Sequence, residues 1–273
     1  MLGQVRAEYA VRRMQTGLKA FVLDKGSQQL AGAWRVIPVS LGGRLSLRVA
    51  VRNVQAGLAD IVPLARELCD RLLQADLADL PADSTITCRK GCSACCSYLV
   101  PVSVCEALRL SRDIEDMPVP IRLRLERSTM FAARRIIDSP PPDDGDIQTL
   151  SQWYRSLELE CPMLQNHLCQ IYDLRPLVCR EYVVDKPASL CEIDSADSPL
   201  AITVSVSQAL GALASQLEQT PLEAVMLPLS LAWRHDNQAR AERHWPMVEM
   251  VRRLAAILAQ APALTKQSQA AAI

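Results

Sequence analysis

Cys88-Arg89-Lys90-Gly91-Cys92-Ser93-Ala94-Cys95-Cys96 is the stretch on which the fold turns. Its four thiols follow the spacing C-x3-C-x2-C-C. The surrounding segment from Pro81 to Cys96 lacks helical periodicity, so an irregular loop is expected there. Two short loops of this kind curl the backbone until several sulfurs face one centre, at the ~2.3 Å metal–sulfur distance of a zinc thiolate site. Gly91 supplies the backbone freedom for the curl, and Ser93 and Ala94 are small enough not to crowd it. Neighbouring side chains diverge in most backbone conformations. The adjacent pair Cys95 and Cys96 therefore points to two centres or a polynuclear cluster.

A second group lies further on. It reads Cys161-Pro162-Met163-Leu164, then Cys169-Gln170-Ile171-Tyr172, then Arg175-Pro176-Leu177-Val178-Cys179-Arg180, with Cys191 trailing. Asp173 is expected to cap a short helix that carries Pro176 in its first turn and Cys179 on its body. The two groups give candidate metal ligands Cys88, Cys92, Cys95, Cys96, Cys161, Cys169, Cys179 and Cys191. Eight thiols suffice for two four-cysteine centres or one multinuclear site. His167 is a candidate imidazole ligand, though a polar loop histidine is the plainer reading. Arg89, Lys90, Arg175 and Arg180 adjoin the cysteines and either offset thiolate charge or simply face solvent. Arg175 and Arg180 are the two expected to act on the ligands from behind. Cys69 falls on the apolar side of a helical pattern and reads as a core thiol. Cys105 reads as a packed thiol or an additional ligand.

Working outward, residues 5–22 show the spacing of a short amphipathic helix through Val5, Tyr9, Leu18 and Val22. A hairpin follows, with strands Trp34 to Leu41 and Leu45 to Val51 around a Gly42-Gly43 turn. In the second strand Leu45, Leu47, Val49 and Val51 alternate with Ser46, Arg48, Ala50 and Arg52. Helices are expected over Leu58–Leu77, from Ser103, over Ile121–Ile137, over 147–159 and from about Pro246 to Gln260. Ser103 and Glu106 form a capping box, and Thr220-Pro221-Leu222-Glu223 is expected to open another helix in the same way. The loop 139–146 and the Ala/Gln/Ser-rich tail punctuate the pattern. The fold class is thus mainly α, with a small β-hairpin near the N-terminus and a loop-rich cysteine-cluster core. The expected domains are an N-terminal region at 1–80, a cysteine-cluster domain at 81–195 with a helical insert at 97–160, a helical region at 196–262 and a tail at 263–273.

Composition narrows the function classes. Lys plus Arg and Asp plus Glu are 30 each, so no global field favours nucleic acid. No aromatic platform accompanies the arginines either. The opening stretch lacks an apolar h-region and no run approaches membrane-spanning length, so a cytoplasmic protein without membrane insertion is expected. Thiols stay reduced there, which makes ten cysteines ligands or buried thiols rather than a disulfide framework. The partner, a protein or a small molecule, is not legible, and whether the chain is an enzyme stays open.

The blocks CRKGCSACC and CPMLQNHLCQIYDLRPLVCR resemble the YkgJ-type cysteine-cluster family, a zinc- or iron-chelating domain. Its pattern is similar to C-x3-C-x2-C-C followed by C-P-x-L and C-x-I-Y-x-x-R-P-x-x-C-R. The resemblance implies that Cys88, Cys92, Cys95, Cys96, Cys161, Cys169 and Cys179 are ligands, with Cys191 a looser trailing match. The blocks are separated by an insert of 64 residues, Ser97 to Glu160. Three functions are then expected. One is a redox role for an iron–sulfur cluster, although G-x-G-x-x-G is absent. Another is a structural Zn2+ module in an interaction protein. The third, implied by similarity to flagellin lysine N-methylase, is S-adenosylmethionine-dependent methyl transfer. Cys88-x3-Cys92-x2-Cys95 has the spacing of radical enzymes, but Ala94 replaces their usual aromatic residue and no barrel pattern accompanies it.

Overall fold

The alternation in Leu45–Val51 becomes strand β3 (Leu45–Arg52), paired antiparallel along its length with β2 (Trp34–Leu41). Gly42 and Gly43 both take the left-handed conformation in the connecting turn. At Gly42 the requirement is double, because a Cβ there would lie 2.7 Å from Thr203 Cγ2. The computed structural model describes residues 18–24, 33–82, 84, 86–142, 146–185 and 200–261.

The helix expected over residues 5–22 is corrected at its end. Residues 1–17 lie outside the described residues, and Ala20–Leu23 is strand β1, on the free edge of β3. Ala20 and Val22 join Val49 and Val51 in the core, while Phe21 turns to the opposite face and packs edge-on against Trp34 at 5.2 Å. A period of two thus governs this segment, and Ala50, opposite Phe21, is buried with it instead of facing solvent.

After the two-residue strand β4 (Gln55–Ala56), a short 3-10 turn at Leu58–Ile61 leads into α1 (Val62–Ala78). Leu64, Ala65, Leu68 and Leu72 of α1 are buried against the sheet. Strand β5 (Pro101–Ser103) precedes α2 (Val104–Glu115), which the Ser103/Glu106 capping box opens as expected. Helices α3 (Val119–Asp138) and α4 (Ile147–Ser156) follow and form a separate apolar cluster around Ile136 and Tyr154.

Beyond 200, α6 (Val206–Glu218) ends on left-handed Gln219. The helix expected from Thr220 is replaced by extended chain and strand β8 (Ala224–Met226), which pairs with β5. The Glu223 carboxylate accepts from Trp233 Nε1 at 3.0 Å and Arg240 Nη1 at 2.8 Å. With its cap acid held by distant partners, the local signal loses to tertiary pairing. Two short helices, α7 (Ser230–Asp236) and α8 (Gln238–Ala241), strand β9 (Trp245–Pro246) and α9 (Met247–Gln260) complete the described chain. The largest core draws on the sheet, α1, α2, α6 and α9 together. Among the described residues no helix is long and apolar enough to cross a membrane.

Candidate metal centre

Two local turns shape the first cysteine loop. Gly91 sits at φ 95°, and the Cys92 N–H closes a turn on the Arg89 carbonyl at 3.0 Å. A 3-10 turn at Ala94–Ser97 then places Cys95 and Cys96, with the Cys96 N–H bonded to the Ser93 carbonyl at 2.9 Å.

The second block opens with a miniature hairpin, β6 (Leu164–Gln165) against β7 (Leu168–Cys169). Its two loop residues, Asn166 and His167, have φ of 48° and 61°, the two-residue turn that matches strand twist. His167 is exposed and its Nδ1 lies 3.2 Å from Ser93 Oγ, so it ties the hairpin to the first loop. Sequence reasoning missed this hairpin; Asn166, tolerant of the left-handed region, was its one legible signal.

Cys179 is carried by α5 (Leu177–Glu181). Asp173 is not the cap expected of it: it lies within a separate 3-10 turn, Tyr172–Leu174, and Pro176 stands at the α5 N-cap. A proline carries no capping side chain, so the cap comes from elsewhere. Glu106 Oε1 accepts the Leu177 N–H at 2.7 Å, while Oε2 accepts from the Ser103 N–H and Oγ. One buried carboxylate therefore serves two helix starts. At the other end of α5, Glu181 accepts from the Ser205 hydroxyl and from the Ser207 N–H and hydroxyl, which fixes α5 to the start of α6. Burial raises the Glu181 carboxyl to about 7 despite these donors.

The two blocks meet. The Cys161 N–H donates to the Cys96 carbonyl at 2.7 Å. The Cys95 thiol is close enough to Cys88, Cys161, Cys169 and Cys179 to interact electrostatically with all four. Burial is the first cause that raises the thiols of Cys88, Cys161, Cys169 and Cys179, Cys161 to about 12. Cys95 is raised by its hydrogen bond with Cys96 and then by burial.

Opposing groups favour the thiolate. Backbone hydrogen bonds from Met163 to Cys161, from Ile171 to Cys169 and from Val184 to Cys88 lower those thiols. In the first two the donor stands two residues after its cysteine, so each turn wraps its own sulfur. Arg175 acts on Cys88, Cys95 and Cys169 in the same sense. Its guanidinium lies 4.3 Å from the Tyr172 ring centroid, and its Nε is buried without a hydrogen-bond partner. Arg180, expected to share this role, does other work. It donates to the carbonyls of Asp173 and Arg175 and pairs with Asp70 of α1 at 2.6 Å, which latches the loop before α5 to the core.

Among the described residues no three His, Cys, Asp or Glu side chains stand in ion-holding geometry, and the nine cysteines among them are free. The side chains of Cys95 and Cys96 are hydrogen-bonded to each other. The donor set nonetheless fits a thiophilic metal or cluster. It consists of soft sulfurs, backbone N–H groups aimed at them and one nearby cation. Cys69 is buried in the main core, as expected. Cys105 is buried there too, its Sγ 3.9 Å from the Leu210 carbonyl, so it is a packed thiol. His235 and His244 are exposed, and Cys191 lies outside the described residues.

Residues 87–195 match the family model described as "CxxCxxCC: Putative zinc- or iron-chelating domain". The match spans both cysteine blocks and the insert between them. No curated protein and no solved structure matches the chain.

Proposed function

We propose that the zinc- or iron-chelating domain at residues 87–195 holds one polynuclear thiolate centre, an iron–sulfur cluster with a redox role. The observation that supports this most is the meeting of Cys95 with Cys88, Cys161, Cys169 and Cys179 across the insert. Cys92 and Cys96 flank that meeting point, and Cys191 is the eighth ligand of the proposal. A single tetrahedral ion takes four thiolates, so this set is in excess of one closed zinc site. When bound, a cluster of this kind supplies one-electron storage. The chain's own residues hold it, screen it from water by half-burying the thiols, and balance its negative charge through Arg175. A cytoplasmic location and an electron partner, either protein or small molecule, belong to the same proposal.

Structural zinc is the second reading, supported by the two sulfur-wrapping turns at Cys161 and Cys169, which suit closed tetrahedral sites equally well. Metal analysis of anaerobically isolated protein decides between them. Brown protein with iron and acid-labile sulfide is the expected result; colourless protein with about two zinc ions and no sulfide establishes the structural module instead. Methyl transfer is tested by calorimetry with S-adenosylmethionine, and absence of binding removes it.

A further inference from the structure

Helix α3 is apolar on two sides. Its inner side buries Leu125, Ala132 and Ile136, as any packed helix does. Its outer side exposes Val119, Leu123, Met130 and Ile137, each between 41% and 71% accessible, while Phe131, also exposed, stands apart from them beyond Arg127 and Arg134. Scattered exposed apolar residues are ordinary, but these are not scattered. Leu123, Met130 and Ile137 are spaced seven apart, with Val119 four before the first. They form one straight row over a helix rise of about 27 Å.

A second row has the same period. Arg127 and Arg134 each stand four residues after a member of the apolar row, the position that carries partner-selecting charges in paired helices. Among the described residues Arg134 is paired only with Asp138 on its own helix, in an exposed ion pair, and Arg127 has no ionic partner. Helix α3 as a whole carries five arginines against Glu126 and Asp138, in a chain whose formal charge is zero.

We propose that the outer face of α3 docks an amphipathic helix with acidic flanks, presented by another protein. The apolar row supplies the seam and the arginine row supplies the choice of partner. A second copy of α3 is disfavoured, because pairing in either direction sets Arg122, Arg127 and Arg134 against their own kind. A membrane surface is disfavoured by width: Arg127 and Arg134 border the row on one side and Arg122 and Glu126 on the other, leaving a strip for one helix rather than a broad apolar face.

The test uses the full chain and synthetic peptides of about three heptads, with Ile and Leu at the seam and either Glu or Lys at the flanks. Fluorescence anisotropy at low salt is expected to show the Glu peptide binding at least about tenfold tighter than the Lys peptide. Met130→Asp, at an exposed position, should keep the thermal midpoint and weaken the Glu peptide by roughly tenfold or more. The double variant Arg127→Glu/Arg134→Glu should reverse the preference. Equal binding of both peptides, or of neither, overturns the proposal. So does Met130-dependent binding to phosphatidylserine–phosphatidylcholine vesicles without peptide preference. Sedimentation showing a dimer that Met130→Asp dissolves also overturns it, in favour of self-association.

Discussion

Arg175 faces three thiols with one guanidinium, and the ring of Tyr172 holds it there. Each thiol must lose its proton to bind metal, and a cation beside it lowers that cost. Arg175→Gln is therefore expected to reduce metal affinity by roughly 10–100-fold in chelator competition, with little change in the unfolding midpoint of the metal-free chain. His167 separates position from chemistry. Its left-handed φ of 61° strains a residue with a Cβ, so His167→Gly should raise stability by about 0.5–1 kcal/mol and leave metal content intact. Proportional loss of metal would make the imidazole a ligand after all. Cys69→Ser places a hydroxyl in the main core and should cost about 1–3 kcal/mol in denaturant titration while metal content stays unchanged.

Helix α5 is only five residues long, too short to form on its own, and so Cys179 is placed by what holds its ends. Glu106 holds one end and Glu181 the other. Glu106→Ala should cost about 2–4 kcal/mol, because it strips the caps of α5 and α2 together and orphans buried N–H groups. Metal retention should fall with it, and Glu106→Gln, which keeps an acceptor oxygen, should recover part of both. These elements also mark where the sequence could be read. The β2–β3 hairpin was legible because alternation and a double glycine agree, and α2 because its capping box lies next to an apolar stripe. The Thr220–Glu223 box carried the same local signal but no such fate: Glu223 is taken by Trp233 and Arg240. Residues 20–22 fit either period, since three residues are too few to separate 2 from 3.6. Both cysteine blocks were plain from spacing alone. Their meeting was not, since the Cys161–Cys96 bond and the Glu106 cap on α5 link residues far apart in the chain.

Across the whole molecule, the raised thiols set the response to alkaline pH. Their folded-state values lie above the ordinary 9.0, Cys161 at about 12 and Cys69, Cys88, Cys169 and Cys179 also raised. A group raised in the folded state binds its proton more tightly there than in the unfolded chain. Its contribution to stability is complete below the unfolded value and lost as pH rises through the folded one. The metal-free protein should therefore lose stability progressively above about pH 9, as followed by thermal melting against pH. Metal loading at neutral pH should release protons, about one per thiol engaged, into a weakly buffered indicator solution, and affinity should climb with pH. Absence of proton release would mean that the thiols are not the ligands.

The bond between Cys161 and Cys96 also has a consequence in time. A ribosome delivers the four sulfurs of the first block and must then make the 64 residues from Ser97 to Glu160 before the next candidate ligand, Cys161, exists. At about 5–20 residues per second, the nascent chain carries an exposed half-set of reactive sulfurs for roughly 3–13 seconds. During that interval it is open to oxidation and to stray metals, so correct loading belongs after synthesis, once both halves are out of the exit tunnel.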